Sequence, residues 1–176
     1  MIDFSRNHFE LFGLPERFVV DPATLDHAFR ALQSDVHPDR FAAGTDAERR
    51  LALQSSARVN EAYRALKDPV SRAGYLLALH GIDALAESDT ALSLDFLERQ
   101  LERREAASDA AADRDLSGLS ALLTAVRADA AELERRLASA LDGDSAWHEA
   151  RTPLRELQFL GKLAADIDAM LAELDE

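Results

Sequence analysis

Five histidines (His8, His27, His37, His80 and His148) and 33 Asp and Glu residues are the side chains in this 176-residue sequence whose types could do chemistry. A helical zinc-protease site needs two His four residues apart with a Glu between them, so that both imidazoles leave one helix face. No His pair here has that spacing. The count of Cys is 0, which removes thiolate nucleophiles, Cys-ligated zinc, Cys-held iron–sulfur clusters and disulfides. GxSxG, GxxxxGK[ST] and GxGxxG are all absent. Acidic pairs abound, but on acidic helices these are usually solvated faces. The expectation is therefore no catalytic residue, no cofactor and no bound metal. One constellation stands apart: His37-Pro38-Asp39, an imidazole and a carboxylate on either side of a residue that fixes the backbone. Alone, such a tripeptide is also a common way to end a helix.

The elements around it decide which reading holds. Asp21-Pro22 starts a helix, with Asp as cap and Pro in the first turn, where its missing N–H would be unpaired anyway. Leu25, Ala28, Phe29, Leu32 and Val36 then follow at helical spacing. His37-Pro38 ends that helix, because a residue before Pro is pushed out of the α region. Thr45 or Asp46 caps a second helix, with Val59, Ala62, Tyr63 and Leu66 on one face and Asp68-Pro69 as its stop. At ~1.5 Å per residue, a helix over 46–67 is roughly 33 Å long. The pair makes an antiparallel hairpin with His-Pro-Asp in its loop, and the two apolar faces are expected to form the core between them. A shorter helix over about 70–80 ends at His80-Gly81, with Gly as a left-handed cap.

Residues 82–91 carry little periodicity and read as a linker. Beyond it, Leu92 to about Ala107 is one helix. Leu116, Leu119, Leu123, Val126, Ala130, Leu133, Leu137 and Leu141 form a sustained stripe in steps of three and four. Ser145 is expected to cap a last helix with Leu157, Leu160, Ala164, Ile167, Leu171 and Leu174 on one side, and Trp147 to close its start. Three amphipathic helices on short loops imply a three-helix antiparallel bundle. The fold class is all-α, with the hairpin and its extra helix in 1–81 and the bundle in 92–176. His80 and His148 read as surface or capping residues.

The net charge of −13 is unevenly divided. Residues 1–81 hold 10 basic and 11 acidic residues, and residues 82–176 hold 10 basic and 22 acidic. Such asymmetry suggests two parts with different work. A pI near 4.8 argues against a general nucleic-acid binder, which needs a basic surface to displace counterions. No signal peptide is evident, and no apolar run approaches the roughly 20 residues that span a bilayer. The expectation is a soluble, cytoplasmic monomer.

The context of His37-Pro38-Asp39 resembles the J-domain co-chaperones, which stimulate ATP hydrolysis by DnaK-type chaperones. Phe9-Glu10-Leu11-Phe12-Gly13-Leu14 stands upstream and Asn60-Glu61-Ala62-Tyr63-Arg64-Ala65-Leu66-Lys67-Asp68-Pro69 downstream. Arg72 to Gly81 adds a helix that general J-proteins lack. With Phe96-Leu97, Leu101-Glu102, Arg104-Glu105 and Leu157-Gln158-Phe159-Leu160, nearly the whole chain is similar to the HscB family of iron–sulfur cluster assembly co-chaperones. A Gly/Phe-rich linker and a CxxCxGxG zinc domain are both missing, which argues against a DnaJ-type generalist.

The resemblance implies that His37, Pro38 and Asp39 engage an HscA-like, DnaK-type chaperone. The basic face usual on the preceding helix is thin here, so Arg30 and Arg40 are the expected electrostatic contributors. It further implies that Leu97, Leu101, Glu102, Glu105 and Phe159, with Glu98 beside them, bind an IscU-like scaffold. Periodicity alone favours the opposite for Leu94, Leu97 and Leu101, a buried stripe. Phe159 falls about 100° from the centre of its stripe, at the edge of the buried face. Two rival readings remain: a general J-domain co-chaperone for unfolded clients, and a structural helical adaptor with a coincidental His-Pro-Asp.

Overall fold

The computed structural model describes residues 2–84, 92–143 and 145–174, and these contain seven α-helices and no strand. They are α1 (His8–Phe12), α2 (Pro22–Val36), α3 (Asp46–Lys67), α4 (Pro69–Leu79), α5 (Leu94–Ala112), α6 (Leu116–Ala138) and α7 (Arg151–Leu174). A 3-10 turn over Pro38–Phe41 joins α2 to α3. The chain divides into two compact units, Met1–Leu79 and His80–Glu176. Most of the expected linker, residues 85–91, lies outside the described residues.

In the first unit the caps act as the sequence implies. Asp21 accepts from the Thr24 backbone N–H at 2.9 Å, and Pro22 occupies the first turn of α2. The Thr24 hydroxyl and backbone N–H together hold the Asp21 carboxyl below its usual pKa. Thr45 and Glu48 close a reciprocal capping box at the start of α3, and those bonds likewise lower the Glu48 pKa. Each such cap satisfies backbone N–H groups that have no partner within the helix. Leu25 and Val36 of α2 and Val59, Ala62 and Leu66 of α3 are buried. Phe29 and Leu32 are only half-buried, and Phe29 stacks on Tyr63 with centroids 4.0 Å apart. The hairpin core is thus narrower than the apolar stripes suggest, with an aromatic pair at its rim. Phe9, Leu11 and Phe12 of α1 are buried, and Gly13 ends α1 in the left-handed region at φ 66°. His8 is buried as well. Its ring stacks on Tyr75 at 4.1 Å, its backbone N–H donates to the Tyr75 hydroxyl at 3.0 Å, and its Nδ1 has no partner.

The second unit is a three-helix bundle in which α5, α6 and α7 each pack on the other two, α6 most extensively on α7. Leu119, Leu123, Val126, Leu133, Leu137 and Leu141 of the long stripe are buried, with Leu154, Leu157, Leu160, Leu163 and Ile167 of α7. Cross-helix ion pairs report its direction. Arg127 meets Asp168 at 2.8 Å and Arg136 meets Glu156 at 3.7 Å, so α6 and α7 run antiparallel. On the other side, Arg103 pairs with Asp129 of α6 and Arg104 with Asp166 of α7. The up-down-up order makes α5 and α7 parallel neighbours.

Three expectations are corrected. The first bundle helix runs Leu94–Ala112, starting later and ending a turn beyond Ala107. Ser93 accepts from the Phe96 N–H and caps it, and the Ala-rich tail continues because nothing breaks it before Asp113. Ser145 does not cap the last helix. It sits at φ 51°, and the chain turns through 145–150 before α7 begins at Arg151. The end of α6 causes this: a π-type turn over Ser139–Gly143 adds residues, and Ala146 N–H then folds back to Ala140 O at 2.8 Å. Trp147 does not close α7 but stacks on His80 at 3.7 Å. Gly81, at φ 75°, is left-handed as expected.

Candidate functional site

Two surfaces carry the side chains singled out by the sequence, one on each unit. On the first unit, α2 ends at His37, whose backbone is extended (φ −59°, ψ 128°), as the following Pro requires. The turn is then closed from within. Arg40 N–H donates to His37 O at 3.0 Å, Ala42 N–H to Asp39 O at 3.3 Å, and Gly44 N–H to Phe41 O at 2.9 Å. The His37 imidazole joins this network, its Nδ1 accepting from the Asp39 N–H at 3.3 Å. That acceptor role places the ring proton of neutral His37 on Nε2, leaving one donor for a partner. The Asp39 carboxylate lies 3.6 Å from His37 Nδ1, and its side chain is 90% exposed. Gly44 leaves room here: a Cβ would meet the Glu48 carboxylate at 2.9 Å and Phe41 O at 3.1 Å, so both would have to give way. A rigid turn thus presents an imidazole donor and an anion together, with little to reorder on docking.

The two arginines expected to steer a partner differ. Arg40 folds back on the end of α2, donating to Ser34 O at 3.1 Å and to Asp35 at 3.2 Å. Arg30 is exposed, with no ion pair among the described residues. Beside it is a relay the sequence reading missed. Lys67 donates to the Tyr63 hydroxyl at 2.7 Å, and Tyr63 donates to Asp26 at 2.7 Å. The Tyr63 hydroxyl raises the Lys67 pKa, and the phenolic charge and Asp26 push the same way. Asp26 is therefore partly compensated from α3, which leaves Arg30 as the dominant charge on α2. The available signal was the Asp26–Tyr63 pairing across a hairpin of known register.

On the second unit, α5 breaks the periodicity rule. Leu94, Leu97 and Leu101 are 67%, 40% and 59% exposed. The buried stripe expected for them is wrong: Phe96, Gln100 and Ala107 are the residues of α5 that are buried. The helix is rotated because Phe96, a larger apolar side chain than Leu, takes the core position. Glu98, Glu102 and Glu105 are all exposed beside the leucines. Phe159 of α7 is half-buried, with its ring edge-on to Phe96 at 5.8 Å and the Arg104 guanidinium 5.3 Å from its centroid. Leu97, Leu101 and Phe159 therefore lie on the neighbouring helices α5 and α7, an exposed apolar ridge with a glutamate rim. A contiguous exposed apolar row is the kind of surface on which another molecule can dock.

Among the described residues no group of three or more His, Asp or Glu could hold a metal ion, and no helix is long and apolar enough to cross a membrane.

A helical hairpin with His-Pro-Asp in its turn has the form of a J-domain, the co-chaperone class that the sequence resembles. Comparison with known proteins narrows the class. Residues 92–168 match the family model described as the HSCB C-terminal oligomerisation domain. The chain is 45% identical over 175 residues to the co-chaperone protein HscB homolog of Burkholderia multivorans, covering 99% of each chain. It is equally 45% identical to the homolog of Paraburkholderia phymatum, again over 99% of each. The structure of chaperone HscB from Vibrio cholerae superposes with a TM-score of 0.86 at 38% identity, covering 96% of this chain and 99% of that one. The crystal structure of human co-chaperone protein HscB gives 0.88 at 30% identity, covering 96% and 83%. The chain belongs to the HscB co-chaperone family.

Proposed function

We propose that this protein couples an HscA-like, DnaK-type chaperone to an IscU-like iron–sulfur scaffold in the cytoplasm, acting as a monomer. In this reading residues 1–81 are the J-domain, 82–91 the linker and 92–176 the scaffold-binding bundle. His37, Pro38 and Asp39 engage the chaperone and raise its ATPase rate, with Arg30 and Arg40 contributing charge. Leu97, Leu101 and Phe159 bind the scaffold through apolar contact, with Glu98, Glu102 and Glu105 pairing to basic residues around it. The chain is a regulator: it shifts the conformational equilibrium of a partner that owns the ATP site. Any cluster belongs to the scaffold, since this sequence has 0 Cys.

The observation that carries the reading is the exposed row Leu94, Leu97 and Leu101 on a unit separate from the His-Pro-Asp turn. A client-holding J-protein would also use exposed apolar surface, so the two readings divide on whether the scaffold changes the chaperone's response. The test is the ATPase rate of a cognate DnaK-type chaperone, measured with this protein and with or without scaffold. Synergy between the two is expected, lost in His37→Gln. Scaffold-independent stimulation would favour the generalist, and no stimulation at any concentration a structural adaptor. Leu97→Ala/Phe159→Ala should keep basal stimulation and lose scaffold binding.

A further inference from the structure

The ridge does not end at Phe159. On α5, Leu94, Leu97, Leu101 and Arg104 follow at i, i+3, i+7 and i+10, one continuous helix face. On the parallel helix α7, Phe159, Asp166, Met170 and Glu173 follow at i, i+7, i+11 and i+14. Between the two faces, just past Phe159, lies an open cleft of about 420 Å³ lined by Arg104, Ala107, Asp166, Ala169, Met170 and Glu173. Arg104 belongs to both places. Its guanidinium covers the Phe159 ring, and its Nη2 lies 3.7 Å from the Asp166 carboxylate in the cleft.

We infer that this cleft is a second docking subsite, which takes a Lys- or Arg-bearing segment of the same partner that covers the ridge. The proposal rests on the scaffold-binding reading of Leu97, Leu101 and Phe159. Ala169 and Met170, over the buried Ala107, supply apolar surface for the aliphatic stem of a long cationic side chain. Asp166 and Glu173 supply the opposite charge for its head. Arg104 already shows the chemistry from inside the chain, its cationic head reaching Asp166 across an aromatic surface. Glu173 makes no ion pair among the described residues, so the cleft has an acidic group to spare. A second copy of this chain is the competing occupant, since residues 92–168 match a family model described as an oligomerisation domain; heats of dilution of the chain alone that depend on the cleft residues would overturn the proposal. The surplus acid of this unit favours a basic partner instead.

The experiment titrates the full chain with the IscU-type scaffold of the same genome, by calorimetry at several salt concentrations. Three proteins are compared: unaltered, Asp166→Asn/Glu173→Gln, and Leu97→Ala/Phe159→Ala. Thermal melts check that each is folded. Glu173→Gln alone is a second variant that leaves the Arg104–Asp166 pair intact. The double cleft variant should bind about 3- to 10-fold more weakly, with a shallower salt dependence, and Glu173→Gln should lie between it and the unaltered chain. The ridge variant should bind far more weakly with its salt dependence kept. If the cleft variants bind like the unaltered protein while the ridge variant does not, the cleft proposal is wrong and the ridge reading stands. If only the cleft variants weaken binding, the scaffold docks at the cleft and the ridge reading falls. If neither weakens it, both fall.

Discussion

The His-Pro-Asp turn and the leucine ridge teach opposite lessons about how a binding surface is written into a sequence. The turn is made of residues with unusual backbone demands: a Pro that fixes φ, a His forced into extended backbone, a Gly where a Cβ would clash. The ridge is made of leucines, the same residue type that fills the core of the same bundle. The first surface is polar and held by its own hydrogen bonds. The second is apolar and held by a neighbouring side chain, Phe96, occupying the core in its place. One site is a local conformation, and the other is a rotation of a whole helix.

The largest expected effect separates the two surfaces directly. Asp39→Asn removes an anion from a fully accessible turn without touching a core contact. Stimulation of the chaperone ATPase should fall by more than about tenfold, the scale on which truncating one partner of a docked charge pair acts. Scaffold affinity and melting temperature should stay as they are. A matching loss of scaffold affinity would break the separation into two independent surfaces.

Stability gives the next contrast, between two leucines of the same bundle. Leu119→Ala empties a fully buried site in α6 and should lower unfolding stability by about 2–5 kcal/mol. Leu101→Ala removes a largely exposed side chain and should stay within about 0.5 kcal/mol. Chemical denaturation measures both. Equal losses would mean that the ridge is part of the core after all.

These differences explain which parts of the molecule could be read in advance. Asp21-Pro22, a cap at Thr45 or Asp46 and Asp68-Pro69 fix helix ends through bonds between near neighbours, and the bounds of α2 and α3 follow from them. The His-Pro-Asp turn was legible for the same reason. The orientation of α5 was not. Leu94, Leu97 and Leu101 compete with Phe96, Gln100 and Ala107 for one core face, and helical spacing allows either set. What decides is which set fits α6 and α7, a matter of volume across three helices. The stretch 145–150 was misread on similar grounds, because the π-type turn before it shifts every later position. The Lys67–Tyr63–Asp26 relay and Arg104 over Phe159 likewise join residues that only the fold brings together.

A smaller effect concerns acid. His8 is buried without a partner for Nδ1, and burial lowers its pKa, with Arg58 pushing the same way and Glu61 opposing. The folded pKa thus lies below the unfolded one. Stability from the neutral ring is complete above the ordinary His value near about 6.5 and is lost as pH falls through it toward the lowered folded value. The melting temperature of the first unit should therefore drop on acidification below about pH 6.5. His8→Phe keeps an aromatic ring to stack on Tyr75 and should flatten that drop. The second unit contains no such buried His among its described residues, so its own transition should be less sensitive over the same range.

The smallest effect tests how the first surface attracts its partner. A charge steers over distance only if nothing beside it cancels its field. Arg40 is paired with Asp35 at 3.2 Å, and seen from more than a Debye length, about 8–10 Å at ordinary salt, that pair is nearly neutral. Arg30 is unpaired, and its nearest acid along the helix, Asp26, is engaged by the Lys67–Tyr63 relay. Arg30→Gln should therefore slow association with the chaperone by about two- to fivefold at low salt, with the difference shrinking as salt rises. Arg40→Gln should slow it to a similar extent, because it too removes one positive charge and leaves Asp35 uncompensated. Lys67→Gln should behave like Arg30→Gln, since it releases the Asp26 charge beside Arg30. Stopped-flow association at several salt concentrations measures all three. If Arg40→Gln proved the slowest of the three, Arg40 would have to leave Asp35 and contact the partner directly, and the turn would be less rigid than its internal hydrogen bonds imply.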